Sequence, residues 1–327
     1  MIKTQYLKVD VQHPDASVIR QAAQMIRRGE LVAFPTETVY GLGADAMQAD
    51  AAWKIFTAKG RPADHPLLVH ISRKEHIEML VKDISNEARQ LMGHFWPGPI
   101  SIILPAREQV PDIVRGGTSG VGLRMPSNPV AIALINAAGP LAAPSANLYG
   151  RPSPTSAEHV KADLDGRIAA VLDAGETGSG LESTVVDLNG GFKILRRGGI
   201  PTEDIEALLG IKFELPDVAT DEKAAYNSPV QVILNQTLSD LIQRAEALQQ
   251  AAKSVGLVRT IEAKHIYPCR FAKEYMLKID VAGQSFFSIL RDAENEKIDI
   301  LVFEPFDENN GGLSQAVIDR INRAASK

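Results

Sequence analysis

The sequence predicts an α/β fold, with a mixed sheet in a larger N-terminal part and a small α/β domain behind it. Three observations carry this. Short apolar runs such as 31–34 and 100–104 have strand length and alternate with stretches of helical periodicity. Three strand-like segments fall close together over 170–196, which points to a mixed sheet and not a purely parallel one. After an acidic stretch the alternation of strand and helix starts again.

The elements follow in order. Residues 15–28 carry Val18, Ile19, Ala22, Met25 and Ile26 at helical spacing, and Gly29 ends the helix. Residues 31–34 read as a buried strand that stops at Pro35. Tyr40-Gly41-Leu42-Gly43 then reads as a glycine turn, and Asp50 as the cap of a helix holding Trp53, Ile55, Phe56 and Ala58. Residues 67–71 form a strand, and 85–95 a helix stopped by Trp96-Pro97-Gly98-Pro99. Strands at 100–104 and 121–125 precede a helix at 129–138 and a short strand at 141–143. Thr155 and Glu158 form a capping box behind Pro154. Strands follow at 170–173, 184–188 and 193–196, and Thr202 caps a helix that ends at Gly210. The chain then turns acidic and loses large apolar residues past Leu215, as a linker does. Past Ser228 come strands at 230–234, 255–258 and 298–303, with helices at 238–252 and 313–325. The expected division is a first domain over 1–210, a linker over 211–228 and a small α/β domain over 229–327.

The chain has 327 residues, 45% of them hydrophobic and 23% charged, as in ordinary globular proteins. A net charge of -5 argues against a protein that binds nucleic acid over its whole surface, although it allows a local basic cleft. The single cysteine, Cys269, excludes an internal disulfide and a multi-cysteine metal site, and reads as a small hydrophobe. No run reaches the roughly 18 apolar residues of a membrane helix, and the first ten residues lack a signal-type apolar core, so a cytoplasmic location is expected.

Several motifs carry chemistry. Thr36-Glu37-Thr38 at a strand end suits a small polar ligand. Lys59-Gly60-Arg61-Pro62 could grip phosphate oxygens, or could be helix-terminal cations answering the helix dipole. Pro144-Ser145-Ala146-Asn147 either builds a turn or donates to a ligand. The loop over 175–184, rich in Gly, Ser and Thr, could nest an anion, but it lacks the Gly-Lys-Ser/Thr ending of a P-loop. Arg124, inside an apolar strand, needs a partner, either an internal carboxylate or a ligand's. The seven histidines show no metal-ligand spacing. His70 ends its strand and could bind ligand or make a structural hydrogen bond.

Taken together, these motifs resemble the YrdC family, the threonylcarbamoyl-AMP synthases. The resemblance runs from 15 to 210 through 34–43, Lys59-Gly60-Arg61-Pro62, Pro66-Leu67-Leu68-Val69-His70, Trp96-Pro97-Gly98-Pro99, Arg124-Met125-Pro126, Ala143-Pro144-Ser145-Ala146-Asn147, Arg151-Pro152-Ser153-Pro154-Thr155, Glu182-Ser183-Thr184 and Leu195-Arg196. The rest of the chain looks like the longer, two-domain members. The resemblance implies a twisted open sheet around a large concave, positively charged cavity. It also implies the conversion of L-threonine, bicarbonate and ATP to threonylcarbamoyl-AMP and pyrophosphate, with Mg2+. The product would pass to a tRNA threonylcarbamoyl transferase complex that modifies adenosine 37. Thr38, His70, Arg124, Ala143 and Ser183 would hold threonine. Lys59, Arg61, His65, Ser145, Asn147, Arg151 and Arg196 would hold ATP. The alternative is a non-enzymatic module that uses the same cavity to bind RNA weakly or to associate with ribosomes. Three departures stand out: His65 replaces an asparagine frequent in the family, Gly120 stands where a small hydroxyl residue usually lies four before the strand arginine, and the linker motif that folds over the site in long members is absent over 223–229, where Tyr226 reads as a remnant.

Overall fold

A computed structural model describes residues 2–215, 226–260, 265–278, 282–305 and 313–325. The chain forms two compact units. The first comprises Met1–Tyr149, Ser153–Gly178 and Glu182–Pro216, and the second Gly150–Pro152, Ser179–Leu181 and Asp217–Lys327.

In the first unit the elements are β1 (Gln5–Lys8), α1 (Ala16–Arg27), β2 (Val32–Phe34), β3 (Gly41–Asp45), α2 (Ala49–Lys59), β4 (Leu68–His70), α3 (Lys74–Leu80), α4 (Asn86–Phe95), β5 (Ile100–Pro105), α5 (Asp112–Arg115), β6 (Gly120–Arg124), α6 (Pro129–Ala138), β7 (Leu141–Ala142), α7 (Ala157–Leu164), β8 (Ala170–Asp173), β9 (Thr184–Asp187), β10 (Lys193–Arg196) and α8 (Thr202–Leu209). Ten strands form one mixed sheet in the order β1-β8-β2-β3-β7-β4-β6-β5-β9-β10. Two apolar layers cover it. One packs α1 and α6 through Ile19, Ile26, Leu134 and Ile135 against Phe34 and Leu172. The other packs α2, α4 and α7 through Ile55, Leu91 and Val160 against Leu42, Val69 and Leu123.

Local chemistry explains the helix starts. Asp15 accepts from Ser17 N and Val18 N at the head of α1, Ser85 from Ala88 N at α4, and Asn128 from Val130 N with Pro129 at the first helical position of α6. Three sequence expectations shift here. The residue before α2 is Gln48, and Asp50 lies inside the first turn. Ser156, not Thr155, caps α7 by accepting from His159 N. Thr202 is the first residue of α8 and not its cap.

The largest correction concerns 40–43, expected to turn. Gly41–Asp45 is a strand, antiparallel to β2 with Phe34 opposite Gly41. The glycines are needed because the Phe34 ring is packed close against them. A Cβ on Gly43 would stand 2.9 Å from Phe34 Cε1. The turn itself is made by 35–39, where Thr36 Oγ1 accepts from Thr38 N and Val39 N.

The second unit carries β11 (Gln231–Leu234), α9 (Leu238–Gln250), β12 (Val255–Thr260), β13 (Lys273–Leu277), α10 (Ala282–Asn295), β14 (Ile300–Phe303) and α11 (Leu313–Ala325). Its strands are all parallel, in the order β11-β14-β12-β13. Helix α9 covers one face through Leu241, and α10 and α11 the other through Phe286, Leu290 and Ile321. Arg259 on β12 is ion-paired to Glu274 at 2.8 Å and to buried Glu304 at 3.5 Å. Tyr226, from the divergent linker, packs edge-on against Phe287. Cys269 is half-buried, and burial raises its thiol pKa. Most of the 211–228 linker, residues 216–225, lies outside the described residues.

Candidate active site

Strand ends of the first unit enclose a hollow of about 200 Å³. Parallel pairing of β4 and β6 sets His70 beside Arg124. The 35–39 turn after β2 brings Thr36 and Thr38 to the same place, and Ala143 follows β7 with its backbone N–H bonded to Leu68 O at 2.8 Å. Ser183 enters ahead of β9, and Arg196 closes β10. Arg61 and Ser145 complete the opposite wall.

Hydrogen bonds fix these groups. Arg124 is 4% exposed, and its Nη1 donates to Thr38 Oγ1 at 2.9 Å. Its Nη2 lies 2.8 Å from Glu37 Oε1, so an internal carboxylate does partner this arginine. His70 is buried against Phe34, and its pKa is pushed down to about 3, first by burial and then by the Arg124 charge. The ring is therefore neutral at physiological pH. Ser183 Oγ lies 2.7 Å from Ser101 Oγ, and Arg196 donates Nη2 to Ser183 Oγ and Nε to Ser183 O, each at 3.0 Å. The backbone of Ser183 is pressed against Gly198, where any Cβ would fall 2.2 Å from the Glu182 carbonyl oxygen.

Lys59 has a different place from the lining residues. It is buried, and its Nζ donates to Ser145 O and Asn147 O, each at 2.5 Å. Burial, and then the Arg61 charge, lower its pKa to about 7. The ammonium thus holds the 145–147 loop in position behind the hollow instead of answering its own helix end, where Gly60 adopts φ 64 as C-cap. Arg61 donates to Pro66 O at 3.3 Å, and burial lowers its pKa.

The hollow gathers Thr38, His70, Arg124, Ala143, Ser183, Arg61, Ser145 and Arg196. Asn147 lies in the loop held by Lys59 and donates to Leu148 O. His65 sits edge-on to Tyr149, with ring centroids 5.8 Å apart, and outside the lining. Arg151 belongs to the second unit, in a bidentate pair with Glu294 at 3.1 and 2.7 Å. Sequence reasoning left out Thr36, Ser101 and Glu182. Thr36 and Glu182 line the hollow, and Ser101 is fully buried behind Ser183. Thr36 and Glu182 stand inside motifs already recognised; Ser101, in an apolar strand, gave no signal of its own.

Among the described residues no group of three or more His, Cys, Asp or Glu side chains could hold a metal ion. The hollow is lined by cations and hydroxyls with one carboxylate, Glu182, itself accepting from Ser153 Oγ at 2.9 Å. That donor set does not fit a protein-held Mg2+.

The mixed sheet and the hollow at its strand ends define an α/β protein of the YrdC-like class. Residues 24–198 match the Sua5_yciO_yrdC family model, described as telomere recombination. Residues 200–326 match the model of the threonylcarbamoyl-AMP synthase C-terminal domain. The chain is 40% identical to a threonylcarbamoyl-AMP synthase of Bacillus subtilis, over 94% of its own length and 92% of that protein's. It is 39% identical to one of Pyrococcus abyssi, over 94% of each. The crystal structure of P. abyssi Sua5 complexed with L-threonine superposes with a TM-score of 0.89 at 38% identity, covering 98% of both chains. The chain belongs to the Sua5/YciO/YrdC family, in its two-domain form.

Proposed function

We infer that the protein is an L-threonylcarbamoyladenylate synthase, a nucleotidyltransferase that joins L-threonine, bicarbonate and ATP into threonylcarbamoyl-AMP and pyrophosphate. The observation that carries this is the meeting of Arg124, His70, Thr38 and Ser183 with Arg61, Ser145 and Arg196 around one hollow. The first group suits an amino acid with a carboxylate and a hydroxyl, and the second suits phosphates.

In this reading Arg124 takes the threonine carboxylate. Neutral His70, Thr38, Ser183 and the Ala143 backbone complete the amino-acid seat. Arg61 and Arg196 face the phosphates, with Ser145, Asn147 and His65 assigned to the same nucleotide, and Lys59 fixes the loop beneath it. Bicarbonate loses hydroxide to give CO2; the neutral threonine amine adds to its carbon and gives up a proton, leaving a carbamate and water. A carbamate oxygen then forms a bond to the α-phosphorus as the bond to the β-phosphate oxygen breaks, and pyrophosphate leaves. Such a transfer calls for alignment and charge neutralisation, not a protein nucleophile. Any Mg2+ would travel on the phosphates, with water completing its shell. The product would serve a tRNA threonylcarbamoyl transferase system in the cytoplasm.

The test is pyrophosphate release from ATP by the full chain. Release should require both threonine and bicarbonate and should fall in Lys59→Ala and Arg61→Ala. Turnover without threonine, or unchanged turnover in both variants, overturns the assignment.

A further inference from the structure

Glu37 lies in the turn between the lining residues Thr36 and Thr38, behind the wall of the hollow and not in its lining. Its Oε1 lies 2.8 Å from Arg124 Nη2, and its side chain is 20% exposed against 5% for the arginine. A guanidinium this buried is strongly disfavoured without a counter-charge. Glu37 supplies one, so the Arg124 charge is neutralised. Arg124 Nε, on the same guanidinium, is buried without an acceptor among the described residues. A donor is thereby left for an incoming carboxylate.

The hydroxyls beside it have a fixed sense. Thr36 has one hydroxyl hydrogen, and it is directed to Val39 O at 2.7 Å. The 2.8 Å contact between Thr36 Oγ1 and Thr38 Oγ1 is therefore donated by Thr38. Thr38 also accepts from Arg124 Nη1. Its hydrogen is committed, and toward the hollow it can only accept. His70 is neutral and adds no charge. This corner thus offers a guanidinium donor next to an acceptor-only hydroxyl, and the Glu37 carboxylate, 2.8 Å from the guanidinium, adds a negative charge behind them. A guanidinium suits a carboxylate, and an acceptor hydroxyl with a nearby negative charge suits an ammonium.

Resting on the reading of this hollow as a threonine seat, we propose that Glu37 is the residue that makes the seat select a zwitterion. It positions Arg124, and its charge favours a ligand bearing an α-ammonium over a carboxylate that lacks one. A bare carboxylate brings a second negative charge to a guanidinium already paired. An amino acid brings a compensating positive one.

The test compares L-threonine with 3-hydroxybutyrate, which is threonine without its amine, by calorimetric titration of the full chain. The wild type should prefer threonine by about 100-fold or more, the discrimination expected when a charged group is lost from a buried site. Glu37→Gln keeps the volume and removes the charge. It should weaken threonine about tenfold, leave or improve 3-hydroxybutyrate, and so cut the ratio at least tenfold, with ATP affinity unchanged. Glu37→Asp should recover part of the ratio. An unchanged ratio in folded Glu37→Gln overturns the proposal, because a merely structural residue would weaken both ligands alike. Should Glu37→Gln not fold, the same ratio is read in Glu37→Asp, where a fall of about threefold supports the proposal and no fall overturns it. Wild-type protein that turns over ATP yet binds no threonine overturns the reading of the hollow itself, and the proposal with it.

Discussion

Ser101 and Ser183 meet hydroxyl to hydroxyl at 2.7 Å, although 82 positions separate them in sequence. Parallel pairing of β5 with β9 creates this contact, since Ile100 lies opposite Thr184 and the residues next to that pair converge. Arg196 donates to the same Ser183 oxygen, so the hydroxyl that faces the hollow is fixed from two sides. Ser101→Ala removes one support without touching a ligand. It should raise the KM for threonine about fivefold, the worth of roughly 1 kcal/mol for one hydrogen bond, and change kcat and the KM for ATP little. Steady-state kinetics with each substrate varied in turn checks this.

Lys59 carries a pKa near 7, against an ordinary 10.5. At pH 8 much of the buried amine is neutral in the free protein. Phosphates nearby would favour the charged form, so nucleotide binding should take up protons at pH 8 and fewer at pH 6. Calorimetry of a non-hydrolysable ATP analogue, in buffers of different ionisation heat, reads this number directly. Lys59→Met should abolish the uptake. For stability the sign is also set. The folded pKa lies below the unfolded one, so the unfolded chain holds more protons between pH 7 and 10.5. The share of stability linked to this group therefore rises with pH over that window.

His70 titrates in the opposite region. Its folded pKa of about 3 lies below the ordinary 6.5, so between these values only the unfolded chain is protonated. Stability should fall as pH drops below about 6.5, by up to about 1.4 kcal/mol per pH unit from this group. Urea unfolding of wild type and His70→Gln at pH 7.5 and 5.5 should show a smaller acid loss in the variant.

Gly43→Ala places a methyl group 2.9 Å from the Phe34 ring. The ring is fully buried and has little room to retreat. The variant should lose about 1–3 kcal/mol, read as a lower urea midpoint at unchanged m-value, and should weaken threonine binding because the turn at 35–39 hangs between β2 and β3.

In the second unit, Arg259→Ala leaves Glu304, 3% exposed, without its guanidinium. A buried carboxylate that loses its cation but keeps the Tyr267 hydroxyl as a donor should destabilise that unit by about 1–3 kcal/mol. Hydrogen exchange of β12 and β14 amides locates the loss.

Much of this was legible in the residues. Apolar runs bounded by Gly and Pro gave the central strands, and Asp15, Ser85 and Asn128 stand where helix caps should. What escaped notice had physical reasons. Gly41–Asp45 looks like a turn because only the partner ring of Phe34 explains its glycines. The β1 strand, Gln5–Lys8, has an exposed edge-strand pattern with no apolar run. Helix α10 was missed, although Phe286, Phe287 and Leu290 lie on one side of it. In the hollow, the residue types were readable but their distances were not. Lys59 and Arg61 share one motif, yet one supports a loop from behind and the other lines the wall. Arg151, inside a motif expected in the first domain, lies in the second unit and pairs there with Glu294.

The order of strands in the large sheet has a consequence for protein synthesis. The walls of the hollow come from positions 36 to 196, and β9 and β10, which bring Ser183 and Arg196, sit together at one flank of the sheet. A nascent chain that has cleared the ribosome only as far as α7 carries Arg124 and His70 but not Ser183 or Arg196. On the proposed reading, the growing polypeptide cannot spend nucleotide until translation passes that flank.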